Sequence, residues 1–73
     1  MYRVYYVENG QRSVTMNYRK YENALHLFYF RLMDTAIWLK ERPTLKRQPD
    51  GTMVAFFVKE DIFHHLDPIR FED

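Results

Sequence analysis

The chain has 73 residues, 11 basic and 10 acidic side chains, and no cysteine. A chain this short is expected to form a single domain, 1–73, that buries only about 60% of the surface its unfolded form exposes. The missing cysteines exclude disulfides and thiolate metal sites and are typical of a reducing compartment. The formal net charge of +1 does not by itself predict a polyanion partner.

Stability must therefore come from another source, and the aromatic content points to dense packing or association. Tyr, Phe and Trp make up 18% of the residues, and small domains use such packing in place of disulfides. The N-terminus has no secretory-signal pattern, and no apolar run approaches the roughly 18 residues of a membrane span. We expect a cytoplasmic protein.

The first element is predicted to be a β-hairpin, with strands at Tyr2–Glu8 and Gln11–Tyr18. Asn9-Gly10 lies between two β-like runs, and this dipeptide supplies the two positive-φ residues of a type I′ turn. With an even loop, the strand residues divide into two faces. One face is expected to point to the core: Tyr5, Val7, Val14, Met16 and Tyr18. The other is expected to be open: Tyr2, Val4, Tyr6, Ser13, Thr15 and Asn17.

A long helix is predicted next, at Tyr21–Glu41, because this stretch is rich in Leu, Ala, Glu and Lys. Pro43 ends it by forcing the preceding residue toward extended geometry. A second hairpin follows, with strands at Thr44–Gln48 and Met53–Val58 around the Pro49-Asp50-Gly51 turn. The first of these strands is polar, which suits a sheet edge. The second is apolar on both of its faces, which suits an inner strand.

The last segment, KEDIFHHLDP, predicts a short C-terminal helix. Ile62, Phe63 and Leu66 fall on one side of it, and Asp67-Pro68 ends it. An extended tail, residues 69–71, would follow. The fold class is thus α+β, a hairpin–helix–hairpin (ββαββ) with one long helix packed on a four-stranded, mostly antiparallel sheet, plus the short helix.

The long helix is apolar on more than one side. Its ordinary core stripe consists of Tyr21, Leu25, Phe28, Leu32, Ala36 and Leu39. A second set, Phe30, Met33 and Ile37 with His26, is centred about 150° away around the helix axis. Trp38 lies with Leu27 on a third side. Either the C-terminal helix and tail cover the second set, or it stays exposed and binds a partner or a second copy.

The tyrosines of the open hairpin face also have two interpretations. Tyr2 and Tyr6 lie there beside small polar side chains, with Arg19 at the end of the strand. Solvated tyrosines are good strand formers and need have no other role. Tyrosine is also enriched at protein interfaces, where it supplies a large contact area.

The residues that suggest chemistry do not form a site. On a helix, His64 and His65 would diverge by about 100° and could not bind one metal ion together. Ser13 lacks the flanking glycines of a nucleophile elbow. Gly10 and Gly51 are isolated in turns, so no phosphate loop exists. We predict a non-enzyme that uses neither a metal nor another cofactor.

Single-stranded nucleic acid is the main alternative partner. Basic residues lie near both hairpins: Arg3, Arg12, Arg19 and Lys20 at the first, and Arg42, Lys46 and Arg47 at the second. Aromatic rings on an open sheet flanked by arginine stack unpaired bases. The balanced net charge argues against this partner, and edge strands carry such cations simply to prevent edge pairing.

We therefore predict a small non-enzymatic protein-interaction module that occludes a partner protein's surface. In size and element order it resembles the small inhibitors that phages make against host polymerases or defence complexes, and that resemblance implies action by occlusion. The alternatives are a single-stranded nucleic-acid-binding module and a structural homodimer or assembly subunit. The candidate partner-binding residues are Tyr2, Tyr6, Arg19, His26, Phe30, Met33, Ile37 and Trp38.

Overall fold

The computed structural model describes residues 1–69, which form one α-helix and an antiparallel sheet of six strands, so the α+β class is confirmed. The elements are β1 Tyr2–Glu8, β2 Gln11–Arg12, β3 Met16–Tyr18, α1 Tyr21–Leu39, β4 Thr44–Arg47, β5 Met53–Phe57 and β6 Ile62–Pro68. The sheet order is β2–β1–β6–β5–β4, and β3 pairs with β1. The last strand thus lies in the middle of the sheet.

The predicted C-terminal helix is wrong, because its residues form the central strand β6. This strand pairs with β1 from Glu8↔Ile62 to Tyr2↔Pro68 and with β5 on its other side. Ile62, His64 and Leu66 are buried at 3%, 3% and 0% exposure. That two-residue alternation is a strand period, and the apolar side chains between 62 and 66 satisfy it as well as they satisfy a helix.

The Asn9-Gly10 turn is confirmed, but the strand after it is interrupted. Asn9 and Gly10 have φ values of 52° and 79°, as a type I′ turn requires. The register is Val7↔Arg12 near the turn and Val4↔Met16 further on, so one extra residue enters between β2 and β3. This is a β-bulge. Four strands were predicted; the sheet has six because the bulge splits one strand and β6 replaces the helix.

Ser13 stabilises the bulge. Its backbone N–H donates to the carbonyl oxygen of Tyr6 at 2.8 Å, while its hydroxyl accepts the Tyr6 N–H at 2.9 Å. The hydroxyl thus takes the place of a backbone carbonyl in the ladder.

The predicted division of hairpin faces is wrong in β1. Val4 is 1% exposed and lies in the core, so Tyr2 and Tyr6, which share its side of the strand, also face α1. Tyr5 and Val7 face the opposite side of the sheet. The extra residue of the bulge reverses which side chains of β3 point toward the core. Tyr18 therefore pairs with Tyr2 and is packed against the core, the side that was predicted for Tyr18.

The core lies between α1 and one face of the sheet. It consists of Val4, Ala24, Phe28, Leu32, Met53, Ala55, Phe57, Ile62 and Leu66. The remaining members of the predicted helix stripe, Tyr21, Leu25, Ala36 and Leu39, are packed against it. On β5, Met53, Ala55 and Phe57 point toward α1, which leaves Val54 and Phe56 on the outer face.

α1 ends at Leu39, two residues before the predicted end. Lys40 takes the left-handed conformation with a φ of 53°, and its N–H donates to the Ala36 carbonyl oxygen, which satisfies a terminal acceptor. Glu41 then leaves the helix, and its carboxylate accepts the backbone N–H groups of Val58 and Lys59 at 2.7 and 3.1 Å. The helix end is therefore tied to the β5–β6 turn.

The second hairpin has the predicted turn and edge strand. Gly51 has a φ of 99°, the Thr52 N–H donates to the Asp50 carboxylate at 2.9 Å, and β4 lies at the sheet edge. The Ile69 N–H donates to the Met1 carbonyl oxygen at 2.8 Å, whereas the rest of the predicted tail, 70–71, lies outside the described residues. Within residues 1–69, no helix combines the length and apolar character that crossing a membrane would need.

Candidate functional site

Three exposed large apolar side chains of α1 form a line on the side of the helix directed away from the sheet. Phe30, Met33 and Ile37 are 66%, 60% and 74% exposed. At 100° per residue they lie within about 60° of arc, and His26 continues the line toward the N-terminus. We call these four residues the α1 ridge. The structure thus brings together four of the eight predicted partner-binding residues.

No part of residues 1–69 covers the α1 ridge. The internal-packing interpretation relied on the predicted C-terminal helix and tail lying over Phe30, Met33 and Ile37. The helix segment is β6, which is paired on both sides within the sheet, and residues 70–71 of the tail lie outside the described residues. The ridge is therefore exposed apolar surface on the outer side of a two-layer fold.

Trp38 lies on the flank of α1, beside the ridge rather than on it. Its indole is 68% exposed and borders a cleft of about 340 Å³ between the helix and β1. Tyr6 and Arg31 form part of the lining, and the Arg31 guanidinium carbon lies 5.8 Å from the centre of the Tyr6 ring. Trp38 is thus a second exposed aromatic side chain on α1, in addition to Phe30 of the ridge.

The buried end of this cleft contains His64. Its ring is 3% exposed, and its Nε2 lies 2.9 Å from the Thr35 hydroxyl. Burial, with the positive charge of Arg31 as the next contribution, lowers the pKa of His64 to about 4. The His64 ring is therefore neutral near pH 7. It points into the core while its neighbour His65 points to the outer face of the sheet. The two histidines therefore cannot bind one metal ion together.

The remaining predicted residues are not part of the ridge. The Tyr2 ring lies 5.2 Å from the Tyr21 ring in an edge-to-face contact, and the Tyr6 ring lies 5.5 Å from His64. Both tyrosines are half-buried between the layers rather than displayed on an open face. Arg19 is exposed just before α1 begins.

The outer sheet face carries an aromatic row that the sequence interpretation missed. The ring centroids are separated by 4.7 Å between Tyr5 and His65, 6.1 Å between His65 and Phe63, and 4.4 Å between Phe63 and Phe56. The Arg12 guanidinium carbon lies 4.3 Å from the Tyr5 centroid. The separate stretches of sequence gave no signal for this row, because it exists only once β6 lies between β1 and β5.

The rings of this row stand on edge. Their interplanar angles of 11°, 24° and 28°, combined with the short cross-strand separations, mean that ring faces pack against one another. Tyr5 is further held by a 3.0 Å hydrogen bond from its hydroxyl to Asp67. Burial, and then the charge of Asp67, raise the pKa of Tyr5. The row therefore covers the outer face of the sheet mainly by packing against itself.

Among residues 1–69, the side chains that the sequence analysis considered for chemistry do not converge on one site. Ser13 is engaged in the bulge, and the acidic residues nearest in sequence to His64 and His65 on the N-terminal side, Glu60 and Asp61, lie in the β5–β6 turn. Nowhere in residues 1–69 do three His, Asp or Glu side chains come close enough to share a metal ion.

No protein-family model, no curated protein and no solved structure matches this chain.

Proposed function

We propose that this chain is a small non-enzymatic protein-interaction module that occludes a partner protein's surface and docks through the α1 ridge. The observation that carries the proposal is the exposure of Phe30, Met33 and Ile37, at 66%, 60% and 74%, on the side of α1 opposite its core stripe. An apolar line of this kind on a small domain is typical of an interaction site.

The spacing of the ridge suits a groove on a partner. Anchors at intervals of three and four residues are what an amphipathic helix uses when it lies in an apolar groove. Methionine repacks against irregular surfaces, and the nearby indole of Trp38 is a side chain typical of interface hot spots. The ridge therefore supplies contact area without requiring any chemistry.

An inhibitory role follows from this mode of binding. A protein that covers a partner's apolar groove prevents other molecules from using it, and this would be sufficient for inhibition. The small size that this chain shares with phage inhibitors of host or defence machinery agrees with such a role. We accordingly include a phage- or mobile-element-encoded inhibitor in the proposal.

Quantitative capture from an extract of the source cell tests the proposal. Wild type, Met33→Glu and Val14→Glu are immobilised in equal amounts; Val14 is 80% exposed but lies between β2 and β3, away from α1. We expect one protein to be recovered equally by wild type and Val14→Glu and at least tenfold less by Met33→Glu. Equal recovery on all three surfaces would reject the ridge as the docking site.

Nucleic-acid binding remains the second candidate, now on the outer sheet face. The favouring observation is that Arg12 covers one end of the aromatic row, while Lys46 borders Phe56 and Phe63 near the other end. Because the rings stand on edge, bases could stack only at the ends of the row. This candidate predicts steeply salt-dependent binding of a single-stranded oligonucleotide that Arg12→Ala plus Lys46→Ala removes.

A further inference from the structure

The cleft beside Trp38 has opposite charges on its two walls that do not meet. It lies between α1 and the C-terminal end of β1 and encloses about 340 Å³, which is within the range of about 300–1,000 Å³ that ligand pockets occupy. Its lining comes from α1 on one side and from β1 and β6 on the other: Arg31, Asp34, Thr35 and Trp38, and Tyr6, Glu8, Ile62 and His64.

Arg31, on the helix wall, is a half-buried cation without an acceptor. Its Nη1 atom is buried and forms no hydrogen bond within residues 1–69. The Tyr6 ring centre lies 5.8 Å from the guanidinium carbon, which is near the outer limit of a cation–π contact. A buried charged donor without an acceptor destabilises the fold, so an acceptor placed in the cleft would restore stability.

Glu8, on the opposite wall, is an anion without a donor. It lies on the same side of β1 as Val4, the side that faces α1, and it is half-buried opposite Ile62. Its carboxylate forms no ion pair or hydrogen bond with any other part of the chain that the structure describes. Asp34 adds a second carboxylate at the exposed rim.

Other cations near these walls are directed elsewhere. The Arg12 guanidinium carbon lies 4.3 Å from the centre of the Tyr5 ring on the outer face of the sheet. The Lys59 ammonium group donates to the Leu39 carbonyl oxygen at 3.0 Å. Arg31 is therefore the one cation among residues 1–69 that borders the cleft.

A flat ligand with acceptors on one edge and donors on the next satisfies both walls. Guanine has this pattern, because its O6 and N7 accept from arginine, while its N1–H and 2-amino group donate to one carboxylate. The Trp38 indole, 68% exposed at the rim, offers a ring face on which a base stacks. We propose that the cleft binds the guanine base of a nucleoside or mononucleotide. Glu8 accepts from N1–H and the 2-amino group, and the long Arg31 side chain turns Nη1 toward O6 and N7.

The same groups discriminate against other ligands. Adenine presents its 6-amino donor where guanine presents O6, which places a donor against Arg31. A free amino acid matches the two charges but leaves the indole of Trp38 uncovered. A phosphate gains little, because Arg31 is taken by the base and the two carboxylates repel it. We therefore expect guanosine and its monophosphate to bind about equally.

NMR titration tests the site directly, because Trp38 is the only tryptophan of the chain and gives a single indole N–H signal. Guanosine monophosphate should shift this signal saturably, with a dissociation constant on the order of 100 µM. Adenosine monophosphate should bind at least tenfold more weakly, and inosine monophosphate, which lacks the 2-amino group, several-fold more weakly. No saturable shift up to about 10 mM guanosine monophosphate, or equal binding of the adenine nucleotide, would overturn the proposal.

A guanine-containing single-stranded oligonucleotide, titrated in parallel, separates the two sources of the base. We expect it to shift the indole signal no more tightly than guanosine monophosphate does. Much tighter binding of the oligonucleotide would make nucleic acid the ligand and reject the mononucleotide.

Variants of the two walls identify the contacts. Glu8→Gln and Arg31→Met should each weaken binding of guanosine monophosphate at least tenfold, and unchanged binding in either would contradict its assignment. Glu22→Gln, which neutralises an exposed carboxylate on α1 away from the cleft, is the matched control and should bind as wild type does. The same spectra report whether each variant is folded.

The stability of Arg31→Met gives a readout that needs no ligand. Methionine keeps an aliphatic side chain and removes the unpaired cation, so this variant should unfold at a higher urea concentration than wild type. A lower midpoint would show that contacts within the fold hold Arg31, and it would contradict the proposal. Because the cleft and the ridge are different surfaces, neither result bears on capture of a protein through Met33.

Discussion

His64 is the buried polar side chain of the core, and its hydrogen bonding determines its tautomer. The Thr35 hydroxyl has one proton, which it donates to the Arg31 carbonyl oxygen at 3.0 Å. It must therefore accept its 2.9 Å hydrogen bond from His64, so Nε2 carries the proton. Protonating the other ring nitrogen would place a charge inside the core beside Arg31.

The pKa of His64 predicts how stability depends on pH. Burial lowers this pKa from 6.5 to about 4, so between these values the unfolded chain binds a proton that the folded chain does not. The free energy of unfolding should fall as the pH drops through this range, by on the order of 3 kcal/mol from His64. His65, whose pKa burial also lowers, contributes in the same direction.

Urea unfolding between pH 7 and pH 4 measures this dependence. His64→Gln keeps a donor for Thr35 but does not titrate, so its stability should depend less on pH than that of wild type. Asn23→Gln, an exposed change that removes no titratable group, leaves the buried histidine in place and should retain the wild-type slope. Parallel curves for wild type and His64→Gln would show that His64 is not the source.

Ser13 shows at the residue scale why the hairpin faces could not be predicted. The turn residues and the bounds of β1 were predicted correctly from local sequence, and the even loop length is as expected. Whether the second strand runs on without interruption depends on a single hydroxyl that accepts the Tyr6 N–H at 2.9 Å. Serine has no special preference for a bulge. Nothing in the sequence therefore indicated that the two faces of the second strand are exchanged after Ser13.

At the scale of elements, α1 was predictable and β6 was not. The helix is long, its core stripe has a 3.6-residue period, and Pro43 marks its end region, so local pattern sufficed. The β5–β6 turn contains no glycine, and Asp61 supplies the left-handed residue with a φ of 53°. Without a visible turn, the apolar residues from 62 to 66 fit a helix as readily as a strand.

Neighbouring residues on α1 provide a test of its two sides. Leu32 is 6% exposed and Met33 is 60% exposed. Leu32→Ala should lower the free energy of unfolding by about 2–5 kcal/mol, because it leaves a cavity in the core. Met33→Glu should change it by no more than about 0.5 kcal/mol, because the carboxylate stays in water.

Urea denaturation of both variants beside wild type gives these values. The ridge would have to be a buried surface if Met33→Glu proved as destabilising as Leu32→Ala, since placing an unpaired carboxylate in an apolar interior costs several kcal/mol. A dimer at high concentration would also add concentration dependence, so the measurement belongs at or below about 1 µM.

On the scale of the whole molecule, a single layer of helix on a sheet leaves two outer surfaces, and they differ in character. The outer sheet face is packed by its own upright rings, with Tyr5 only 7% exposed. The α1 ridge has no such internal partner. Helical spacing in the sequence identified the ridge as a second apolar set but left exposure and coverage both open, because the choice depended on where residues 62–68 would fold.

Site-specific photocrosslinking in the source cell tests the central claim, that the α1 ridge is the surface that meets another protein. The photoreactive analogue p-benzoylphenylalanine is placed at Phe30 on the ridge or, as the matched control, at Phe63 on the outer sheet face. We predict covalent protein adducts from position 30 and none from position 63. An adduct of twice the chain mass identifies a second copy, and a larger one identifies a separate target. Adducts from position 63 alone would contradict the assignment of the ridge.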